Sequence, residues 1–375
     1  MNSESKTVYF KNLDGLRGIA ALAVVFFHAA NWFNYPDTSL YQSIYLMFSF
    51  NNLGGDLGVL FFFILSGFLI TYLLFQEQSV HGTIGVGNFY MRRLLRIWPL
   101  YYLSVLTGFL LLPSILGQHT LPASQNAHLG MYLIFASNFD HLNTGAPTNG
   151  LLGVQWSVAV EEQFYLVWPL LFLFLGRAKL FPLAMAGIIL LSEWFYSQSS
   201  GPERYFHFYS NVRFLAFGAL LAWAAYFHRE KIEAGFLKCK PFVHVLIYGT
   251  GLALLFLHKS LSSISLYVSY TLHVVPILFF GFVILEQNFS ENSFFKISKI
   301  KVLTWLGKIS YGLYLTHMIG IYCVLALFPA GEDFYLLKIL FSLFITIFIS
   351  HFSYTYFESY FLKLKSKFSN SKNKP

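Results

Sequence analysis

The chain alternates between apolar blocks of roughly 16 to 24 residues and short polar or basic stretches. Each block is long enough to cross about 30 Å of hydrocarbon as a helix rising ~1.5 Å per residue. The blocks fall near 13–33, 53–75, 96–116, 159–176, 179–198, 208–227, 242–258, 265–286, 304–328 and 335–360. In lipid every backbone N–H and C=O must be satisfied within the spanning structure, which leaves helices or a closed barrel. No stretch alternates at period two over many short strands, as a barrel would. The pattern therefore predicts an all-α fold, a polytopic membrane bundle of about ten transmembrane helices with the lipid bilayer as its solvent.

Composition agrees. Of 375 residues, 56% are hydrophobic and 11% charged, where soluble domains carry about a quarter charged residues. A net charge of +8 invites a nucleic-acid reading, but the placement of the cations gives a different cause. With the N-terminus inside, the inner segments hold Lys6, Lys11 and Arg17, then Arg92, Arg93 and Arg96, then Arg177 and Lys179. They also hold Arg229, Lys231, Lys238 and Lys240, then Lys296, Lys299, Lys301 and Lys308, then the tail from Lys363 to Lys374. Residues 34–52 and 117–155, on the other side, contain no Lys or Arg. That asymmetry is the positive-inside pattern, so both termini are expected in the cytoplasm and no nucleic-acid partner is expected. Cys239 and Cys323 form no CxxC, and no disulfide or metal site is expected. The first span begins like a signal peptide, yet Asp14, Arg17 and His28 make it too polar for one, and it reads as a retained helix. Residues 1–362 form one membrane domain, and the Lys/Ser/Asn-rich tail 363–375 reads as a disordered basic extension. The long segment 117–155, with Pro122, Gly145, Pro147 and Gly150, is a candidate lid or acceptor-binding surface, with a plain connection as the alternative.

Ionisable groups inside spans cost about 2.5 kcal/mol or more at mid-membrane, so they are functional candidates by default. In LDGLRGIAALAVVFFHAA (13–30), eleven steps separate Arg17 from His28, which places the imidazole ~16 Å further along the axis and, after about three turns, on the same face. A neutral histidine is a natural base for a hydroxyl nucleophile, and a structural histidine bonded to a carbonyl is the alternative. In GVLFFFILSGFLIT (58–71), Ser66 and Gly67 interrupt large apolar side chains. They mark either close helix packing or a surface over which substrate passes. In FYMRRLLRIWPLYY (89–102), Arg93 and Arg96 share a face and suit phosphate oxygens, unless they are topology anchors. In QWSVAVEEQFYLVWPLL (155–171), Glu161 lies four residues after Ser157 and shares its face at the mouth of a span. An inward carboxylate there orients an imidazole or pairs with an arginine. Arg213 and His317, the latter in SYGLYLTHMIG (310–320), are two further intramembrane polar groups divided between function and structural pairing.

LDGLRGIAALAVVFFH, FFFILSGFLIT, YMRRLLRIWPLYYL, WSVAVEEQFYLVWPL and ISYGLYLTH, in that order over nearly the whole chain, resemble the integral membrane O-acyltransferases of acyltransferase family 3. The resemblance implies a ten-helix bacterial inner-membrane protein. It would take an acyl group, usually acetyl from acetyl-CoA on the cytosolic side, to a sugar hydroxyl of a surface glycan such as lipopolysaccharide O-antigen or exopolysaccharide. It also implies roles for the Arg17–His28 and Arg93–Arg96 pairs. Where the family often has Gly-Val-Asp before the FF run, this chain has Gly58, Val59 and Leu60, so the aspartate's role is missing or falls to Asp56. Some members carry a C-terminal extracytoplasmic domain, and this chain reads as the stand-alone form.

The expectation is thus an acyltransferase with His28, Glu161 and His317 as catalytic residues, and Arg17, Arg93 and Arg96 on the acyl-CoA phosphates. Ser66, Gly67, Ser157 and Arg213 would contact substrate. The partners are an acyl-CoA donor, a carbohydrate acceptor and glycan-assembly machinery. The rival classes are a transporter or flippase using the same buried charges, and a scaffold in a glycan-assembly complex.

Overall fold

The computed structural model describes residues 9–33, 38–48, 54–116, 127–176, 179–265, 268–269, 272–328 and 334–368. Among them every regular element is helical, and each of the ten apolar blocks overlaps a helix. These are α1 (Lys11–Trp32), α2 (Gly54–His81), α3 (Val86–Leu106), α4 (Gln155–Leu175), α5 (Phe181–Gln198), α6 (Phe208–Phe227), α7 (Pro241–Ser262), α8 (Val274–Phe289), α9 (Ser310–Leu327) and α10 (Tyr335–Phe352). Eight of them, with their continuations, are long and apolar enough to cross a bilayer. The other two fall short for different reasons: α8 has 16 residues, and α5 ends in the polar stretch SEWFYSQ. The protein is an all-α, multi-pass membrane bundle. Its outward faces carry exposed Phe174, Leu183, Leu190, Phe344 and Phe348, as side chains solvated by lipid tails should be.

Several boundaries differ from the expected ones. Helix α3 begins at Val86, ahead of position 96, so Arg92, Arg93 and Arg96 are already helical. The fourth span runs Gly150–Leu175, which puts Glu161 inside it and corrects the expected placement at its mouth. The ninth block is broken at Ile309 into the short helix Lys301–Lys308 and α9. The helical path after α10 passes through a π turn at Ser353–Glu358 and continues to Phe368. Residues 363–368 are therefore helical, not a disordered tail, and Arg92 Nη1 donates to the Phe368 carbonyl at 2.9 Å. Lys6, Pro122, Arg177 and residues 369–375 lie outside the described residues.

Helix α2 is apolar all round and sits in the middle of the bundle, with Phe63, Ile64, Leu65 and Phe68 at most 1% exposed. It crosses α6 with backbones in near contact. A Cβ on Gly67 would lie 2.0 Å from the Leu215 carbonyl oxygen, and one on Gly218 would lie 2.1 Å from that of Ile64. Only glycine allows the approach at both points. Within residues 127–153 of the long loop, the helix Ser137–Thr144 packs on α4. Gln163 Nε2 donates to Asn138 Oδ1 at 2.7 Å and to the Phe135 carbonyl at 2.9 Å, while Asp140 accepts the His128 backbone N–H at 2.8 Å. This segment is a docked cap, not a plain connection.

Candidate active site

Helices α1, α2, α3, α4 and α9 enclose a cavity of about 340 Å³, closed further by the helical segment after α10. Arg17, Arg93, Arg96, Lys308 and Lys365 line it, against two acids, Asp14 and Glu161. The i, i+3 spacing on α3 turns Arg93 and Arg96 inward. Arg92 points away, its Nη2 2.8 Å from Glu77 Oε2. Arg93 is held between the rings of Phe89 and Tyr165, 5.8 and 5.7 Å from their centroids, and its buried Nε has no hydrogen-bond partner among the described residues. Arg17 is partly neutralised by Asp14 at 3.3 Å, which also accepts from Tyr9. Among the described residues that line the cavity, most of the positive charge is thus left without a counter-charge, the arrangement expected where a polyanionic ligand completes the balance.

Ser66, Ser157 and Glu161 line the same cavity. Ser66 shares a short hydrogen bond with Tyr165, and both residues line the cavity with Glu161. Ser157 Oγ lies 2.6 Å from the Tyr314 hydroxyl. Tyr314 lines the cavity and leads outward from it through His317, whose ring is 6.1 Å from that of Tyr314, to His28, whose ring is 4.9 Å from that of His317. His317 Nδ1 is 2.6 Å from the Tyr314 carbonyl. A carbonyl only accepts, so Nδ1 carries the proton and Nε2 keeps its lone pair. That Nε2 is buried with no partner among the described residues.

The bundle therefore brings together Arg17, Arg93, Arg96, Ser66, Ser157 and Glu161 in one cavity. It joins His28 to His317 just beyond it, with neither imidazole among the cavity's lining residues. Two expected substrate contacts are elsewhere. Gly67 faces the Leu215 main chain, not the cavity, so its role is packing. Arg213 lies in a second cavity and is paired with Glu193 at 3.2 Å. Lys308, Lys365, Tyr165 and Tyr314 were missed as site residues. The spacing of Tyr311, Tyr314 and His317, three apart on α9, carried a signal for one inward face. Lys365 had none, because a Lys/Ser-rich terminus reads as solvated. Among the described residues no group of three His, Cys, Asp or Glu is placed to hold a metal, and both cysteines are free.

The bundle is an all-α membrane protein with a cation-lined cavity, from which Tyr314 and then His317 lead to His28. The chain belongs to acyltransferase family 3, whose acyltransferase domain matches residues 10–355. It is 29% identical over 338 residues to peptidoglycan O-acetyltransferase OatA of Listeria monocytogenes, covering 82% of this chain and 49% of that protein. It is 26% identical over 372 residues to O-acetyltransferase OatA of Staphylococcus aureus, covering 94% and 57%. The putative peptidoglycan O-acetyltransferase YrhL of Bacillus subtilis is 25% identical over 358 residues, covering 82% and 48%. The chain spans about half the length of the curated relatives it matches. No solved structure matches it.

Proposed function

We propose that this protein is a membrane O-acetyltransferase that takes an acetyl group from acetyl-CoA at the basic cavity and passes it to a hydroxyl of a cell-surface carbohydrate. The observation that carries the reading is the cavity itself: five cations against two acids, leading to Tyr314 and the imidazoles of His28 and His317. The relatives' names support O-acetyl transfer, and favour peptidoglycan over lipopolysaccharide O-antigen or exopolysaccharide as the acceptor. The Lys and Arg asymmetry of the loops supports a bacterial cell membrane with both termini cytoplasmic, which turns the basic cavity toward the cytosolic pool of acyl-CoA.

In this mechanism Arg93 and Arg96, with Arg17 and Lys365, hold the donor's phosphates through charge-assisted hydrogen bonds. The proton acceptor is His28. Either it takes the proton from the acceptor hydroxyl, whose oxygen bonds to the acyl carbon as the C–S bond breaks, or it first receives the acyl group itself. In the first route His28 passes that proton to the leaving thiolate; in the second the thiolate leaves first, the acceptor oxygen then bonds to the acyl carbon as its bond to the imidazole breaks, and His317 carries the hydroxyl proton to the thiolate. His317, its Nδ1 tied to the Tyr314 carbonyl and its ring 4.9 Å from that of His28, supplies Nε2 as the second acid/base. Glu161, which lines the cavity with Ser66 and Tyr165, positions its arginine side.

The test is acetyl transfer to glycan by the full chain in membranes, read by mass spectrometry and NMR. His28→Ala should accumulate normally in the membrane and lose transfer by a factor of at least 100, the low end of general-base contributions. Wild-type levels of acetylated product in that variant would refute the assignment. Glycan translocation by the purified protein without any acyl-CoA would favour a flippase instead.

A further inference from the structure

A second cavity, of about 190 Å³, lies toward the Gly54 end of α2, whereas the basic cavity runs toward Leu73 of the same helix. Val59 and Phe63, one turn apart, line both. The two spaces are therefore separated by a wall one side chain thick. Their chemistry differs. Arg204 and Arg213 in the second cavity are offset by Asp56 within it and by Glu193, which pairs with Arg213 at 3.2 Å. Glu193 also bonds His273 Nε2 at 2.9 Å. A site with two cations against two acids gives a polyanion no advantage, unlike the basic cavity.

What the second cavity does offer is a wall of packed aromatic rings edged by fixed hydrogen-bonding groups. Trp156 and Tyr205 meet with ring centroids 4.9 Å apart. Tyr196 is covered by the guanidinium groups of Arg213 and Arg204 at 3.8 and 4.8 Å. The Tyr205 hydroxyl donates to Asp56 Oδ1 at 2.5 Å. Arg213 is only 5% exposed, and its buried Nε has no partner among the described residues. A buried donor left without an acceptor costs about 1–3 kcal/mol, so it points to an acceptor that a ligand supplies. Aromatic faces with polar edges recognise ligands that are apolar on the ring face and hydroxylated at the rim. The volume is below the ~300–1,000 Å³ of sites that enclose a drug-sized ligand, so a single ring enters while the remainder stays outside.

We infer that this second cavity is the acceptor subsite, holding one uncharged sugar ring of the glycan so that its hydroxyl faces the acyl donor across the Val59–Phe63 wall. The inference rests on the acyl-transfer reading. It gives Arg213 the substrate role first expected of it, at a place distinct from the donor's cations, and it gives Asp56 a place in acceptor binding.

The experiment uses the full chain in lipid nanodiscs with two neutral probes, maltotetraose and chitotetraose, and one acidic probe, tetragalacturonate. Binding is followed by saturation-transfer NMR. At least one neutral probe should bind, and Arg204→Ala and Tyr205→Ala should each weaken it by tenfold or more. Both variants should keep wild-type acyl-CoA affinity, and Arg93→Ala should keep wild-type sugar binding. The inference is overturned if neither neutral probe binds, if only the acidic probe binds, or if both outer-cavity variants bind sugar as the wild type does. Failure of the acyl-transfer reading looks different: sugar binding at the second cavity persists, but the wild type transfers no acetyl group.

Discussion

Three arginines within five positions of α3 have different fates, and helical geometry decides them. Arg93 and Arg96 face the cavity, while Arg92, one position away, is turned by about 100° toward Glu77 and the Phe368 carbonyl. Removing a charge-assisted contact to phosphate costs about 1.5–3 kcal/mol, so Arg93→Ala should raise the KM for acetyl-CoA by about tenfold or more. Arg92→Ala should change it by less than about twofold. Equal effects of the two substitutions, measured in the same membranes, would mean that surface charge and not a built phosphate site governs donor use. The Arg93–Arg96 pair was legible because it is a fixed interval on one helix, whereas the Arg17–His28 interval did not carry both residues to one cavity: Arg17 lines it and His28 does not. The approach of His28 to His317 joins α1 to α9 and has no trace in local spacing.

At the scale of elements, contact between backbones decides what a small residue is for. Gly67 interrupts a run of bulky side chains, and sequence alone left packing and substrate passage both open. The structure assigns it to packing, because the Leu215 carbonyl occupies the space a Cβ would need. Gly67→Ala should therefore force α2 and α6 apart and destabilise the protein by about 1–3 kcal/mol, the usual range for overpacking. A thermal-denaturation series in detergent should show a lowered midpoint. An unchanged midpoint with an altered acceptor KM would restore the substrate reading. The early start of α3 was hidden for a related reason: hydropathy marks the apolar centre of a span, while the polar turns carrying Arg92, Arg93 and Arg96 extend the helix beyond it. The cap over α4 was likewise unreadable as structure, since its hold comes from Gln163 on α4 meeting Asn138 and the Phe135 carbonyl of the cap.

At the scale of the whole molecule, the two cavities divide the bundle into a basic half-site and a charge-balanced one, with Val59 and Phe63 between them. The basic half is completed from the far end of the chain. Lys365, beyond the π turn after α10, reaches the same space as Arg17 on the first helix. Lys365→Ala should raise the acetyl-CoA KM several-fold, less than Arg93→Ala, while glutamate at the same position should raise it further. A donor dependence indifferent to the charge at 365 would remove this segment from the site. By itself the sequence determined the all-α membrane bundle, the approximate places of its apolar helices and the shared face of Arg93 and Arg96. Those follow from the cost of unsatisfied backbone in lipid and from the 3.6-residue period, both of which act within one segment. Tertiary structure alone decided that Gly67 packs, that Lys365 reaches the cavity, that Arg213 belongs to a second one and that His28 meets His317. Each depends on how separate helices cross, and crossing is set by side chains far apart in the chain.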